Sequence, residues 1–207
     1  MNTQFIEVTD NDISHKYFTE IVNALKRGEP VIFPTDTVYG IGTHAFNNAG
    51  VEKIYALKNR NTNKPLVWLI DSFARAQNYV DEVSLKAQAL MDVYWPGPLT
   101  LIFNSSKIRG YAGVKTNTLG LRVPKYALLQ KIIATVGAPL AVTSVNLSGQ
   151  PSAATLSELK KFEGKVPYII SDDVHACTKE STVIDVRGTE PVVLRKGEIS
   201  LEGIVQN

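Results

Sequence analysis

Apolar positions recur at helical spacing in ISHKYFTEIVNALKRGE, where Ile13, Tyr17, Ile21, Ala24 and Leu25 form one stripe and Arg27-Gly28 closes it. The next run, PVIF, is continuous and short, so it reads as a buried strand. NNAGVEKIYALKNR has an Asn start and apolar Val51, Ile54, Tyr55 and Leu57, which predicts a second helix delivering Lys58 and Arg60 at or just past its end. PLVWLI predicts a strand, SLKAQALMDVYW a helix stopped by Pro-Gly-Pro, and LTLIF the strand after it. TLGLRVP, PLAVTSVN, PYIISD, STVIDV and PVVLR read as further strands, with KYALLQKIIATVG and LSELKKFEG as helices between them. This alternation predicts an α/β fold. No repeat, linker or low-complexity tract interrupts it, so a single domain over residues 1–207 is expected.

Composition narrows the function classes. The 207 residues, 44% of them apolar, suffice for one sizeable core. With 22 basic and 20 acidic residues the net charge is only +2, so charge alone does not declare a nucleic-acid binder and any basic surface is local. One cysteine, Cys177, excludes an internal disulfide framework and a thiolate metal cluster, in keeping with a cytoplasmic location. No run reaches the ~18 apolar residues of a membrane helix, and the N-terminal MNTQFIEVTDND lacks the pattern of a signal peptide. His15, His44 and His175 form no zinc-binding pair.

Several strand ends carry residues that a fold alone does not require. Lys58, Arg60 and Lys64 stand within seven residues after a helix; they suit polyphosphate or carboxylate oxygens, or they form a solvated turn. AVTSVNLSGQPSA ends a strand in Thr143, Ser144, Asn146, Ser148, Gly149 and Ser152, small donors and acceptors fit for phosphate or nucleoside, or for any loop. Arg122 lies inside an apolar strand and must face either an anion or a structural carboxylate. In PTDTVYGIG, residues 35, 37 and 39 share one side if the chain stays extended, with Gly40 and Gly42 letting the backbone close behind them. Asp36 is either a metal ligand or a cap on local N–H groups. Neither a P-loop nor a dinucleotide fingerprint is present, and no Ser-His-Asp order is recoverable.

Six segments in order, PTDTVYGIG, KNR with Lys64, WPGPLTLIF, LGLRVP, SVNLSG, and STVIDV followed by VVLRKGEI, resemble the YrdC/TsaC family of threonylcarbamoyl-AMP synthases over nearly the whole chain. The Ser144-x-Asn146 pair speaks against a paralogous group that does not keep the asparagine. The resemblance implies a single α/β domain with a large, twisted, mixed sheet and flanking helices around a deep basic cavity. It implies synthesis of threonylcarbamoyl-AMP and pyrophosphate from L-threonine, bicarbonate and ATP. Mg2+ would bridge the ATP phosphates, with no tightly bound organic cofactor. A separate TsaD-type transferase would take the product to tRNA adenosine beside the anticodon.

Carried over by position, Thr35, Thr37, Tyr39, Arg122, Val142 and Ser181 would bind threonine, Arg122 through the carboxylate and Val142 through its backbone. Lys58, Arg60, Lys64, Thr118, Ser144, Asn146, Ser152 and Arg195 would bind the nucleotide, with Lys58 and Arg60 the catalytic cations. Members with an added C-terminal domain often have Asn at the Lys64 position and His at the Leu69 position, so threonine contacts from that strand are not carried over; the sequence ends ten residues after Gly197, and a short, single-domain member is expected. Two competing readings remain: an RNA- or tRNA-binding module using the basic rim, and a carbamoyl-transfer domain like the module in hydrogenase-maturation proteins. The latter carry cysteine-rich segments absent here.

Overall fold

The stripe of Ile21, Val22, Ala24 and Leu25 is buried on one face of helix α1 (His15–Lys26), whose first turn is capped by the Ser14 hydroxyl. The computed structural model describes residues 2–114, 117–146, 152–153, 155–172 and 179–199. Helix α2 (Asn48–Lys58) starts on the Asn47 side chain, which accepts from the N–H of Gly50, and ends where Asn59 enters the left-handed region at φ 48°. Helices α3 (Leu85–Tyr94), α4 (Ala127–Val136) and the short α5 (Leu156–Leu159) complete the helical set, with 3-10 turns at Phe73–Asn78 and Lys160–Phe162.

The described strands are β1 (Gln4–Glu7), β2 (Val31–Phe33), β3 (Gly40–His44), β4 (Val67–Leu69), β5 (Leu99–Asn104), β6 (Thr118–Arg122), β7 (Leu140–Ser144), β8 (Tyr168–Ser171), β9 (Thr182–Asp185) and β10 (Val192–Arg195). They form one mixed sheet in the order β1-β8-β2-β3-β7-β4-β6-β5-β9-β10. Parallel pairs such as β4–β6 are mixed with antiparallel ones such as β3–β7. One core joins Trp68, Ile41, Leu101 and Leu121 to α2 and to Met91 of α3. The other joins Phe33, Leu69, Leu140 and Val142 to α1 and α4. Alternate residues of the strands thus point to opposite cores, and the sheet is covered on both faces.

Two strands escape the sequence pattern. In β1 only Ile6 is buried, and what holds this edge strand is its parallel pairing with β8. Gly40 and Gly42 are not a turn but the first and third residues of β3, paired with Ser144 and Val142 of β7. A Cβ at Gly42 would lie 2.8 Å from both Phe33 Cζ and Val142 Cγ2, and one at Gly40 2.9 Å from Val142 Cγ1. The glycines are there because a ring and a branched side chain occupy the space a Cβ needs.

Candidate active site

Between β2 and β3 the chain bends over residues 36–38 rather than running extended. The Thr35 hydroxyl accepts from the N–H of Thr37 at 3.0 Å and donates to the carbonyl of Val38 at 2.8 Å. This Ser/Thr-type turn brings the Thr35 and Thr37 hydroxyls to 3.0 Å from one another. Strand alternation therefore gives the right grouping for the wrong reason. Tyr39 ends the bend, with its hydroxyl donating to the carbonyl of Asp172 at 3.0 Å and accepting from the Asp172 N–H at 2.9 Å.

Thr35, Thr37 and Tyr39 line a cavity of about 320 Å³ together with Lys58, Arg60, Lys64, Arg122, Val142, Ser144, Asn146, Ser181 and Arg195. Twelve residues singled out in the sequence thus meet on one wall system. Thr118 does not; it pairs with Asn104 at the opposite end of β6 from Arg122. Ser152 stands beside the cavity, its hydroxyl donating to Glu180 at 3.2 Å. Cys177, His175, Ser148 and Gly149 lie outside the described residues.

Lys58 is 1% exposed, although it is charged in water. Its ammonium donates to Thr143 Oγ1 at 3.1 Å, to Asn146 Oδ1 at 2.7 Å and to the carbonyl of Ser144. Three acceptors match its three N–H groups, which is what makes a buried ammonium tolerable. Burial first, and the neighbouring Arg60 charge second, bring its pKa down to about 8, partly offset by Glu180. Helix α2 turns sharply at Asn59, and Arg60 beyond it donates to the carbonyls of Lys64 at 3.4 Å and Pro65 at 3.1 Å. Burial lowers the pKa of Arg60 too.

Of the two partners open to Arg122, the structure supplies a carboxylate of the protein itself. The guanidinium reaches Asp36 Oδ1 at 2.5 Å, Thr37 Oγ1 at 2.8 Å and the carbonyl of Gly97 at 3.0 Å. Their side chains are 7% and 11% exposed, so this ion pair is buried. The Trp95–Gly97 corner places that carbonyl: the indole N–H of Trp95 donates to Leu99 at 2.7 Å, and Gly97 N–H donates to Val123 at 2.9 Å. Asp36 Oδ2 is buried without a hydrogen-bond partner among the described residues, and no group of three His, Cys, Asp or Glu among them could hold a metal ion.

Sequence reasoning missed Glu180 and Thr100, both on the cavity wall. Thr100 sits inside the apolar LTLIF, and its hydroxyl lies 2.9 Å from that of Ser181 across the β5–β9 pair. Glu180 pairs with Arg195, whose other N–H groups reach the Ser181 carbonyl and hydroxyl, each at 3.0 Å. The only local signal for Glu180 was its place directly before Ser181.

A family model described as Sua5/YciO/YrdC, telomere recombination, matches residues 23–197. A threonylcarbamoyl-AMP synthase of Pyrococcus abyssi is 36% identical over 183 residues, 87% of this chain and 54% of that protein. One of Vibrio parahaemolyticus is 32% identical over 184 residues, 87% of this chain and 98% of that protein. Among solved structures, P. abyssi Sua5 complexed with L-threonine superposes with a TM-score of 0.88 at 33% identity, covering 98% of this chain and 60% of that one. E. coli YciO superposes at 0.84 with 25% identity, covering 97% and 98%. The chain thus spans little more than half the length of the Pyrococcus proteins and nearly all of the Vibrio and E. coli ones.

Proposed function

Because the chain belongs to the Sua5/YciO/YrdC family, we propose that it is an L-threonylcarbamoyladenylate synthase, a nucleotidyltransferase that joins L-threonine, bicarbonate and ATP. The observation that carries this reading is the meeting of Lys58, Arg60, Lys64 and Arg195 with the Thr35–Thr37 bend and Ser181 in one cavity. The amine of threonine attacks the bicarbonate carbon and water leaves, giving a carbamate. A carbamate oxygen then attacks the α-phosphorus of ATP, the Pα–O–Pβ bond breaks, and its electrons leave with pyrophosphate.

No protein nucleophile enters, so the chain contributes positioning and charge. The cations face a polyanion whose charge shifts toward the leaving pyrophosphate, while small hydroxyls and Arg122 face threonine. Threonine's carboxylate would share the Arg122 guanidinium with Asp36. Magnesium would come with the nucleotide as part of that substrate and would add positive charge at its phosphates. The product would pass to a TsaD-type transferase acting on tRNA. No helix among the described residues is long and apolar enough to cross a membrane.

The test is pyrophosphate release from ATP with threonine, and then bicarbonate, left out. Release is expected only with both present. Release that ignores both omissions reduces the protein to an ATPase, and salt-sensitive RNA binding without release makes it the binding module instead.

A pH dependence also follows. The Lys58 ammonium is complete below its pKa of about 8 and is lost above it. ATP binding, followed by calorimetry from about pH 7 to about pH 9.5, is therefore expected to weaken roughly tenfold as that charge disappears. Lys58→Arg keeps its charge over this range and is expected to flatten the curve. An equally flat curve for the unaltered protein removes Lys58 from the nucleotide site.

A further inference from the structure

Among the described residues lining the cavity, Glu180 is the one carboxylate, set against Lys58, Arg60, Lys64, Arg122 and Arg195. Resting on the synthase reading above, we propose that Glu180 sets the affinity of the site for polyphosphate, competing with nucleotide and pyrophosphate oxygens for Arg195. The geometry fits a competitor better than a fixed brace. One carboxylate oxygen takes Arg195, the other takes the Ser152 hydroxyl at 3.2 Å. The side chains of Arg195 and Glu180 are 43% and 37% exposed. An ion pair this wet is worth little, so a polyanion arriving through the same opening can displace the carboxylate from Arg195.

The displaced carboxylate cannot travel far, because its backbone is held. Glu198 N–H donates to the Glu180 carbonyl at 3.0 Å, and Thr182 N–H to Pro98 at 2.9 Å. The Thr182 hydroxyl accepts from Gly197 N–H at 3.1 Å and Ile199 N–H at 3.2 Å. A Cβ at Gly197 would lie 2.3 Å from the Glu180 carbonyl oxygen, so the RKG segment packs directly on this backbone. Glu180 therefore keeps a negative charge at the cavity wall whether or not Arg195 has left it. That charge also reaches Lys58 and Arg60, raising the proton affinity of both.

The reaction supplies the reason for such a residue. Four cations that gather a triphosphate, Lys58, Arg60, Lys64 and Arg195, would also retain the pyrophosphate that leaves from it. A fixed carboxylate weakens both complexes and keeps the product exchangeable. A residue that merely braced Arg195 would have the opposite effect, since its loss would leave the guanidinium unheld and weaken binding. The two roles thus differ in sign.

The experiment is calorimetric titration of the full chain with magnesium-ATP and, separately, magnesium pyrophosphate, without threonine or bicarbonate. Glu180→Gln keeps an acceptor for Ser152 and removes the charge. It is expected to bind both ligands about fivefold to tenfold tighter, an estimate scaled down for a half-exposed site. Glu180→Asp keeps the charge and is expected to stay within about twofold of the unaltered protein. Unchanged or weaker binding by Glu180→Gln overturns the proposal, as does equal tightening by Glu180→Asp, or failure of the unaltered protein to bind either ligand. If the Gln variant does not fold, tightening by the Asp variant overturns the proposal and affinity at the original level supports it. An unaltered protein that binds both ligands, shows these shifts and yet releases no pyrophosphate with threonine and bicarbonate present overturns the synthase reading alone.

Discussion

Lys58→Ala is expected to slow pyrophosphate release about 100-fold or more, the scale set by removing one preorganised charge-stabilising donor from an active site. Two losses add there. The cavity loses a cation, and Thr143 Oγ1, the Ser144 carbonyl and Asn146 Oδ1 lose the donor that gathers them. Lys58 joins the end of α2 to the end of β7, 85 to 88 residues away, so its removal also loosens the wall that Ser144 and Asn146 contribute. Global stability is expected to change much less, since deleting the side chain also removes the cost of burying an ammonium. Arg60→Ala is expected to reach a similar loss by another route. It removes a guanidinium from the cavity and the contacts that shape residues 60–65. Steady-state release at saturating substrates measures both, with thermal melts as the control for folding. Near-normal turnover in both variants would sink the assignment of these cations to the chemistry.

Asp36→Ala is expected to cost about 3 kcal/mol of stability, because it strands the buried Arg122 charge. For a chain of this size that corresponds to a melting temperature lower by about 6 to 12 °C. L-threonine binding is expected to fall with it, since Arg122 also holds Thr37, whose N–H and hydroxyl organise the bend with Thr35. Asp36→Asn keeps an acceptor of the same shape and is expected to lose less, because only the charge is gone. Thermal or urea melts give the stability change, and calorimetry with L-threonine gives the binding. A loss below about 1 kcal/mol for the alanine variant would mean that Arg122 finds another partner at little cost and that Asp36 is not what fixes this wall.

The two experiments separate two functions of buried charge in this chain. Lys58 is buried among neutral acceptors and its positive charge remains available to the cavity. Arg122 is neutralised by its own carboxylate, so it contributes order to the Thr35–Thr37 bend more than net charge. A basic cavity built from five cations would otherwise repel itself, and Asp36 and Glu180 limit that repulsion from its two sides.

The helices were legible because their signals are local. The 3.6-residue stripe of α1, the Asn47 cap of α2 and the Gly137 stop of α4 at φ 81° each rest on a few neighbouring residues. The same locality placed Lys58 and Arg60 correctly at the end of a helix. The resemblance of six ordered segments then named most of the residues that line the cavity, and the family model matches residues 23–197. Edge strand β1 and glycine-bearing β3 were not legible, because one depends on pairing with β8 and the other on the space filled by Phe33 and Val142.

By itself, then, the sequence determined the α/β alternation, the family, and which small hydroxyls and cations the chain brings to its strand ends. Which charges meet was decided only by the tertiary structure. Arg122 finds Asp36 across 86 positions and Lys58 finds the end of β7 through a sheet order unrelated to chain order, while Glu180 meets Arg195 across the antiparallel β9–β10 pair. Local periodicity carries no information on such pairings. They arise when burial strips water from a charge and leaves it to whatever partner the sheet has brought within reach.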